Sequence, residues 1–163
     1  MKTIYIKFVM TLLFAGMSIF SFAKSLKENE VQYPEGYRFW THIKTGLVGP
    51  TNPNFQTNGG YHHIYANEKA MEGYKGGKFP DGSVIVFDLL NIKEQNGNFQ
   101  EAERKHLDVM VKDSKKFSET GGWGYEEFNG DSHTERKLTD TTKTQCFTCH
   151  SKKDDFVFSE FRK

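Results

Sequence analysis

Apolar and polar positions alternate along much of the chain. Phe39, Thr41, Ile43, Thr45 and Leu47 recur at every second residue, the period of a strand with one buried face. Tyr61 to Tyr65 reads as a second strand. Ser83-Val84-Ile85-Val86-Phe87-Asp88-Leu89-Leu90 reads as a third, dense in β-branched and apolar residues. Lys105, Leu107, Val109 and Val111 alternate again, and Trp123 to Phe128 follows Gly121-Gly122 as a short strand. Turn chemistry separates these runs at residues 49–54, at Pro80-Asp81-Gly82 and at Asn96-Gly97. Asn67 is placed to cap a helix from Glu68 to Tyr74 that stops at Gly76-Gly77, Ser114 to Glu119 suits a helical turn, and a last helix begins near Thr141 or Thr142. Strands joined by turn-sized connections predict an α+β fold, predominantly antiparallel sheet with a few short helices, one of them near the C-terminus.

The first residues break this pattern. Residues 4–22 are almost continuously apolar, Lys2 precedes them and Ser21 and Ala23 supply small residues at the −3 and −1 positions, the layout of a secretory signal peptide cleaved near Ala23. A membrane anchor is the alternative reading of the same stretch. Removing residues 1–23 takes two lysines and no acids, so 22 basic and 21 acidic residues become 20 and 21 in a 140-residue remainder. That near-neutral balance argues against a nucleic-acid partner, which requires a basic surface. One domain spanning residues 24–163 is expected. The remainder is short of aliphatic residues yet keeps 19 of the 24 aromatic ones, which suits a centre completed by a large apolar cofactor.

Cys146-Phe147-Thr148-Cys149-His150 has the spacing of a c-type haem attachment site. One helical turn separates the two sulfurs, so both reach the vinyl groups on one porphyrin edge. His150 then turns beneath the ring as the proximal iron ligand. Both cysteines of the chain are used. A disulfide redox pair or a zinc site is the competing reading. The first normally opens a helix after an early strand, whereas this pair lies close to the C-terminus; the second needs a fourth ligand that no second cluster offers.

Taken in order, Tyr33-Pro34-Glu35-Gly36-Tyr37-Arg38-Phe39-Trp40, Gly60-Tyr61-His62-His63-Ile64-Tyr65-Ala66-Asn67 and Gly77-Lys78-Phe79-Pro80-Asp81-Gly82-Ser83-Val84 resemble the cytochrome P-460 family. So do Val111-Lys112-Asp113-Ser114-Lys115-Lys116-Phe117, the Cys-x-x-Cys-His run and Asp155-Phe156-Val157-Phe158. The resemblance implies one covalent haem c in a dimeric periplasmic cytochrome. It also implies one of two activities. One branch oxidises hydroxylamine with a haem that carries a lysine cross-link. The other, cytochrome c'-beta, binds nitric oxide or carbon monoxide at a five-coordinate iron capped by phenylalanines. Counting from the Asp81-Gly82-Ser83 turn, the cross-linking lysine position is Phe87, which has no nucleophilic nitrogen; Lys75, Lys78 and Lys93 lie on other elements. The c'-beta branch is therefore the nearer one.

That resemblance sets expectations for the distal side. Phe87, sharing a strand face with Ile85 and Leu89, is expected to cap an apolar iron site, with Phe55 as the second cap. His62 and His63 are adjacent and point to opposite strand faces, so one of them can enter the haem pocket, near where the family carries arginines. Met71, Met110, His42, His106 and His133 complete the candidate sixth ligands. Asp88 should point away from Phe87's face, while Glu126 or Glu127 could turn inward as a base. The leading functional reading is a secreted or periplasmic gas-binding cytochrome. An oxidoreductase acting on hydroxylamine or nitric oxide is the alternative, and a plain electron carrier the second alternative. The redox partner has no signal in the sequence.

Overall fold

Asn96 and Gly97 both adopt left-handed backbone, with φ of 53° and 77°, as a tight hairpin turn between right-twisted strands requires. The turn joins β3 (Val84–Gln95) to β4 (Asn98–Lys112), the longest hairpin of a computed structural model that describes residues 30–162. The signal peptide read over residues 1–23 lies outside the described residues. β1 (Thr41–Val48), β2 (Gly60–Ala66) and β5 (Trp123–Asn129) complete a five-stranded antiparallel sheet in the order β1-β2-β3-β4-β5. Three helices accompany it: the single turn α1 (Phe55–Asn58), α2 (Glu68–Gly76) and α3 (Asp140–His150). This is the α+β arrangement that the alternation predicts. Among the described residues no helix is long and apolar enough to cross a membrane.

Local chemistry fixes the element ends. The Asn67 side chain accepts a hydrogen bond from Ala70 N and so caps α2, which closes on left-handed Gly77. Both ends match the sequence reading. The first strand does not. Phe39 sits in a 3-10 turn, Tyr37–Phe39, and is 97% exposed; Leu47 is also exposed. A register irregularity between His42 and Lys44 breaks the two-residue period, so Ile43 alone of the alternating set is buried. The β3–β4 ladder also extends further than the apolar run suggests, because the tight turn carries pairing through polar residues to its tip.

Each face of the sheet supports its own cluster. On one face Ala66, Ile85 and Tyr125 pack with Met71, Phe79 and Trp123, and α3 lies over this side through Cys146 and Phe147. On the other, Val86, Leu107, Val109 and Phe128 pack with Val31 and Tyr37. Asp88 is fully buried on that second face, where it accepts hydrogen bonds from Tyr37 Oη (2.6 Å), Arg38 Nη2 (2.8 Å) and Arg104 Nε (2.6 Å). Burial alone raises a carboxyl pKa, but the bonds from Arg104, Tyr37 and Arg38 outweigh it and hold Asp88 below the ordinary carboxylate range.

Breaking this network leaves Arg104 facing a buried gap, so Asp88→Ala should cost about 3–5 kcal/mol, read as a fall in the urea midpoint. Since the folded pKa lies below the unfolded one, the carboxylate's contribution is present above roughly pH 4 and is lost as pH falls through the folded value. The acid limb of the stability profile should therefore flatten in Asp88→Asn.

Candidate functional site

α3 begins where a reciprocal cap sets it. Thr139 Oγ1 accepts from Thr142 N (3.3 Å) and Thr142 Oγ1 accepts from Thr139 N (2.7 Å). No residue of α3 is buried. A helix gains most of its stability from an apolar face packed against a partner, and α3 offers only the partly buried Cys146 and Phe147. Polar tethers add to that hold. Buried Glu126 accepts from Leu138 N (3.3 Å) and Arg136 Nη1 (3.2 Å), and it is ion-paired with Lys143 Nζ of α3 (3.3 Å).

Between α3 and the sheet lies a cavity of about 480 Å³ with Cys146 and His150 in its lining, within the size range of small-molecule sites. Cys146 and Cys149 are free thiols one turn apart, the first half-buried and the second exposed. Burial and the nearby Asp108 and Glu127 carboxylates push the Cys146 thiol up. A redox-exchange cysteine is favoured by the opposite shift. Among the described residues the grouped metal-ligating side chains are His106, Asp108 and Glu127, not the cysteines or His150.

His150 lies 2.7 Å from the Phe156 carbonyl through Nδ1. A carbonyl only accepts, so the proton sits on Nδ1 and the Nε2 lone pair is left for a ligand-binding role. Burial lowers the His150 pKa more than the carbonyl raises it, which keeps the ring neutral. Tyr125 and Phe158 flank the imidazole, with ring centres 5.3 and 4.9 Å away.

The sheet side of the cavity comes from four strands in register. Ile64 pairs with Phe87, Phe87 with Asp108, and Asp108 with Glu127, and all four line the cavity. His62 faces it as well. Its ring stacks on Phe87 at 4.9 Å and 13°. It also covers Gly46, where a Cβ would lie 2.3 Å from His62 Nε2. Burial, then Lys44 and His63, lowers the His62 pKa. His63 points to the opposite face, with Nδ1 2.8 Å from Thr45 Oγ1 and Nε2 2.6 Å from Glu101. Two buried polar atoms have no partner here, His62 Nδ1 and Tyr125 Oη, and both belong to residues of the cavity wall.

Other expectations fare differently. Phe55 is not a lining residue; it sits on α1, with Lys105 Nζ 5.7 Å from its ring centre, because that single turn is folded against Gly59. Leu89 is fully buried outside the lining. The apolar distal wall is mixed rather than uniform. Lys44, Asp108 and Glu127 stand beside Ile64, Ile85, Phe87 and Met110. Both adjacent acids belong to the cavity lining, and Glu126 also anchors α3 through Lys143. Met71 is core, while His42 and His133 are exposed and bonded to Thr45 and Glu35. Sequence reasoning missed Asp108, Tyr125 and Lys44. Their signal was the register of the β3–β4, β4–β5 and β1–β2 pairs, which composition does not reveal.

Asp108 carries the strongest electrostatic signature. His106 Nε2 is 3.6 Å from its carboxyl and Lys137 Nζ 3.0 Å from that of Glu127. Burial first, and the Glu127 charge second, push the Asp108 pKa up to about 7, although 43% of the side chain is exposed where it faces the cavity. An unfolded Asp titrates near pH 4, so the stability linked to this proton is lost as pH rises from about 4 through 7. Asp108→Asn should remove that slope and should be more stable than the unaltered chain at pH 8, as read from urea midpoints at pH 5 and pH 8.

The family model described as Cytochrome P460 matches residues 34–159. No curated protein matches the chain.

Proposed function

The chain belongs to the Cytochrome P460 family, and on that premise we propose that it is an exported c-type cytochrome of the c'-beta kind, which binds nitric oxide and carbon monoxide at a five-coordinate haem iron. The family carries haem. The finer points are this proposal: one haem, joined by thioethers from Cys146 and Cys149, ligated by His150 Nε2, in a single domain over residues 24–163 after cleavage near Ala23. A homodimer is expected from the family.

The observation that carries the reading is a neutral His150 whose Nδ1 is already committed to a carbonyl, beside Cys146 and at a cavity with unpartnered polar atoms in its wall. The residues fit a haem. α3 has no buried residue of its own, and an apolar disc attached to it would supply the packing that its sequence lacks.

When bound, haem supplies an iron that coordinates a diatomic ligand. The chain's residues do the rest. Phe87, held parallel to His62, occupies the strand position where a cross-linking lysine would stand and narrows the approach to the cavity. His62 is kept neutral. Neutral diatomics bond chiefly through the metal and need no strong hydrogen-bond donor.

One observation favours the second reading, oxidation of hydroxylamine or nitric oxide. Asp108 faces the cavity opposite Phe87 with a pKa of about 7, suited to moving a proton near neutrality. The plain-carrier reading rests on a sixth protein ligand, for which Met110 is the thioether in the cavity wall.

Intact mass and absorption spectra of holoprotein, with and without carbon monoxide, separate these readings. Gas binding predicts one covalent haem and a high-spin ferrous spectrum that carbon monoxide changes. A strongly red-shifted ferrous Soret band indicates a modified haem and the oxidase reading, and a low-spin spectrum indifferent to carbon monoxide indicates the carrier. Phe87→Ala should speed carbon monoxide association about tenfold, equivalent to about 1.4 kcal/mol of barrier, in stopped-flow traces; an unchanged rate removes Phe87 from the entry path.

A further inference from the structure

After α3 the chain doubles back through two residues in backbone that L side chains rarely adopt. Asp155 has φ 41° and Phe156 φ 66°. For a bulky residue this conformation is sterically unfavourable, and it persists only where surrounding contacts over-determine it. They do so here. The Asp155 carboxylate accepts from Phe79 N (2.6 Å) and from Lys112 Nζ (2.9 Å), and its carbonyl accepts from Trp123 Nε1 (3.1 Å). Lys112 also donates to Gly121 O (3.1 Å) and lies over the rings of Trp123 and Phe156 at 5.0 and 5.8 Å. The pair is enclosed, at 10% and 16% side-chain exposure.

The strap held this way meets α3 twice. The Phe156 ring stacks on Phe147, between the two cysteines, at 5.8 Å. It seats against Gly121, where a Cβ would lie 2.2 Å from it. The Phe156 carbonyl meets His150 Nδ1 at 2.7 Å.

We propose that the buried Lys112–Asp155 ion pair is a positioning device for the proximal ligand: it holds Phe156 in left-handed backbone so that its carbonyl takes the His150 Nδ1 proton, fixing the tautomer, orientation and basicity of the imidazole. The inference rests on the haem reading above. Lys112 and Asp155 belong to elements far apart in sequence, the end of β4 and the strap. The pair therefore ties the orientation of the imidazole to the sheet rather than to α3. A carbonyl partner on Nδ1 raises the electron-donating power of Nε2, so the clamp tunes the iron without touching it.

The test compares full-length holoprotein with Asp155→Asn, Lys112→Met and the double variant. Intact mass gives covalent haem content, and resonance Raman of the ferrous forms gives the iron–histidine stretch. Asp155→Asn is isosteric and keeps the Phe79 bond, so it should load haem. The expected result is full haem content, a stretch moved to lower frequency in each single variant, and a double variant no further shifted than the larger single, because both remove one clamp. Loaded single variants with an unmoved stretch overturn the clamp and leave the haem reading standing. Unaltered protein without covalent haem overturns the haem reading, and the clamp with it. A second measurement needs no variant. In the NMR spectrum of unaltered holoprotein the His150 Nδ1 proton should survive transfer to D2O, and its immediate loss overturns the proposal.

Discussion

A strand offers its neighbours to opposite faces, and that period of two is the constraint on which this molecule is built. The sheet is covered on both sides, so each adjacent pair of residues divides its labour. His62 stacks on Phe87 at the cavity while His63 bonds Thr45 on the far face. Phe87 enters the cavity and Asp88 is buried among Tyr37, Arg38 and Arg104. A slip of one residue anywhere in the central ladder would exchange these roles wholesale. The buried network at Asp88 opposes such a slip, since only one register brings Arg104 and Tyr37 to that carboxylate.

The two faces also give one residue type two chemistries. Asp88 and Asp108 stand on neighbouring strands, and both are withdrawn from bulk water. Asp88 meets two guanidinium groups and a phenol, and its proton is driven off. Asp108 meets the Glu127 carboxylate across the β4–β5 ladder, and its proton is retained to about pH 7. Burial raises both; at Asp88 the bonds from Arg104, Tyr37 and Arg38 outweigh it, and at Asp108 the Glu127 charge adds to it. One acts as a structural anchor, and the other is a proton-exchanging group held at a cavity.

Much of this was legible in the sequence. Alternation and turn chemistry located the strands, and Asn67 and Gly77 bounded α2. The split between His62 and His63 followed from parity alone. What escaped was register. Counting back symmetrically from Asn96-Gly97 pairs Phe87 with His106, but irregularities around Leu90 advance β4 by two residues and bring Asp108 opposite instead. A shift of two keeps the face and changes the partner, so the polar character of the wall could not be read from the alternation. Phe39 and Leu47 failed for a related reason: the irregularity at Ile43 interrupts the period on an edge strand, which pairs on one side only.

The helix that carries the attachment motif is tethered at both ends by polar groups that belong to the sheet or its connections. Glu126 holds Lys143 near its start, and the strap carbonyl holds His150 at its end. Hydrophobic burial is non-directional and would dock α3 at any convenient rotation, whereas hydrogen bonds and ion pairs specify one. That distinction matters for a helix that brings the Cys146 sulfur and the His150 imidazole to one cavity. An apolar stripe strong enough to bury α3 directly against Ile64, Ile85 and Met110 would close the cavity. The weak packing of α3 and the openness of the space beneath it are therefore one property, and the polar tethers keep the geometry defined while that space is kept.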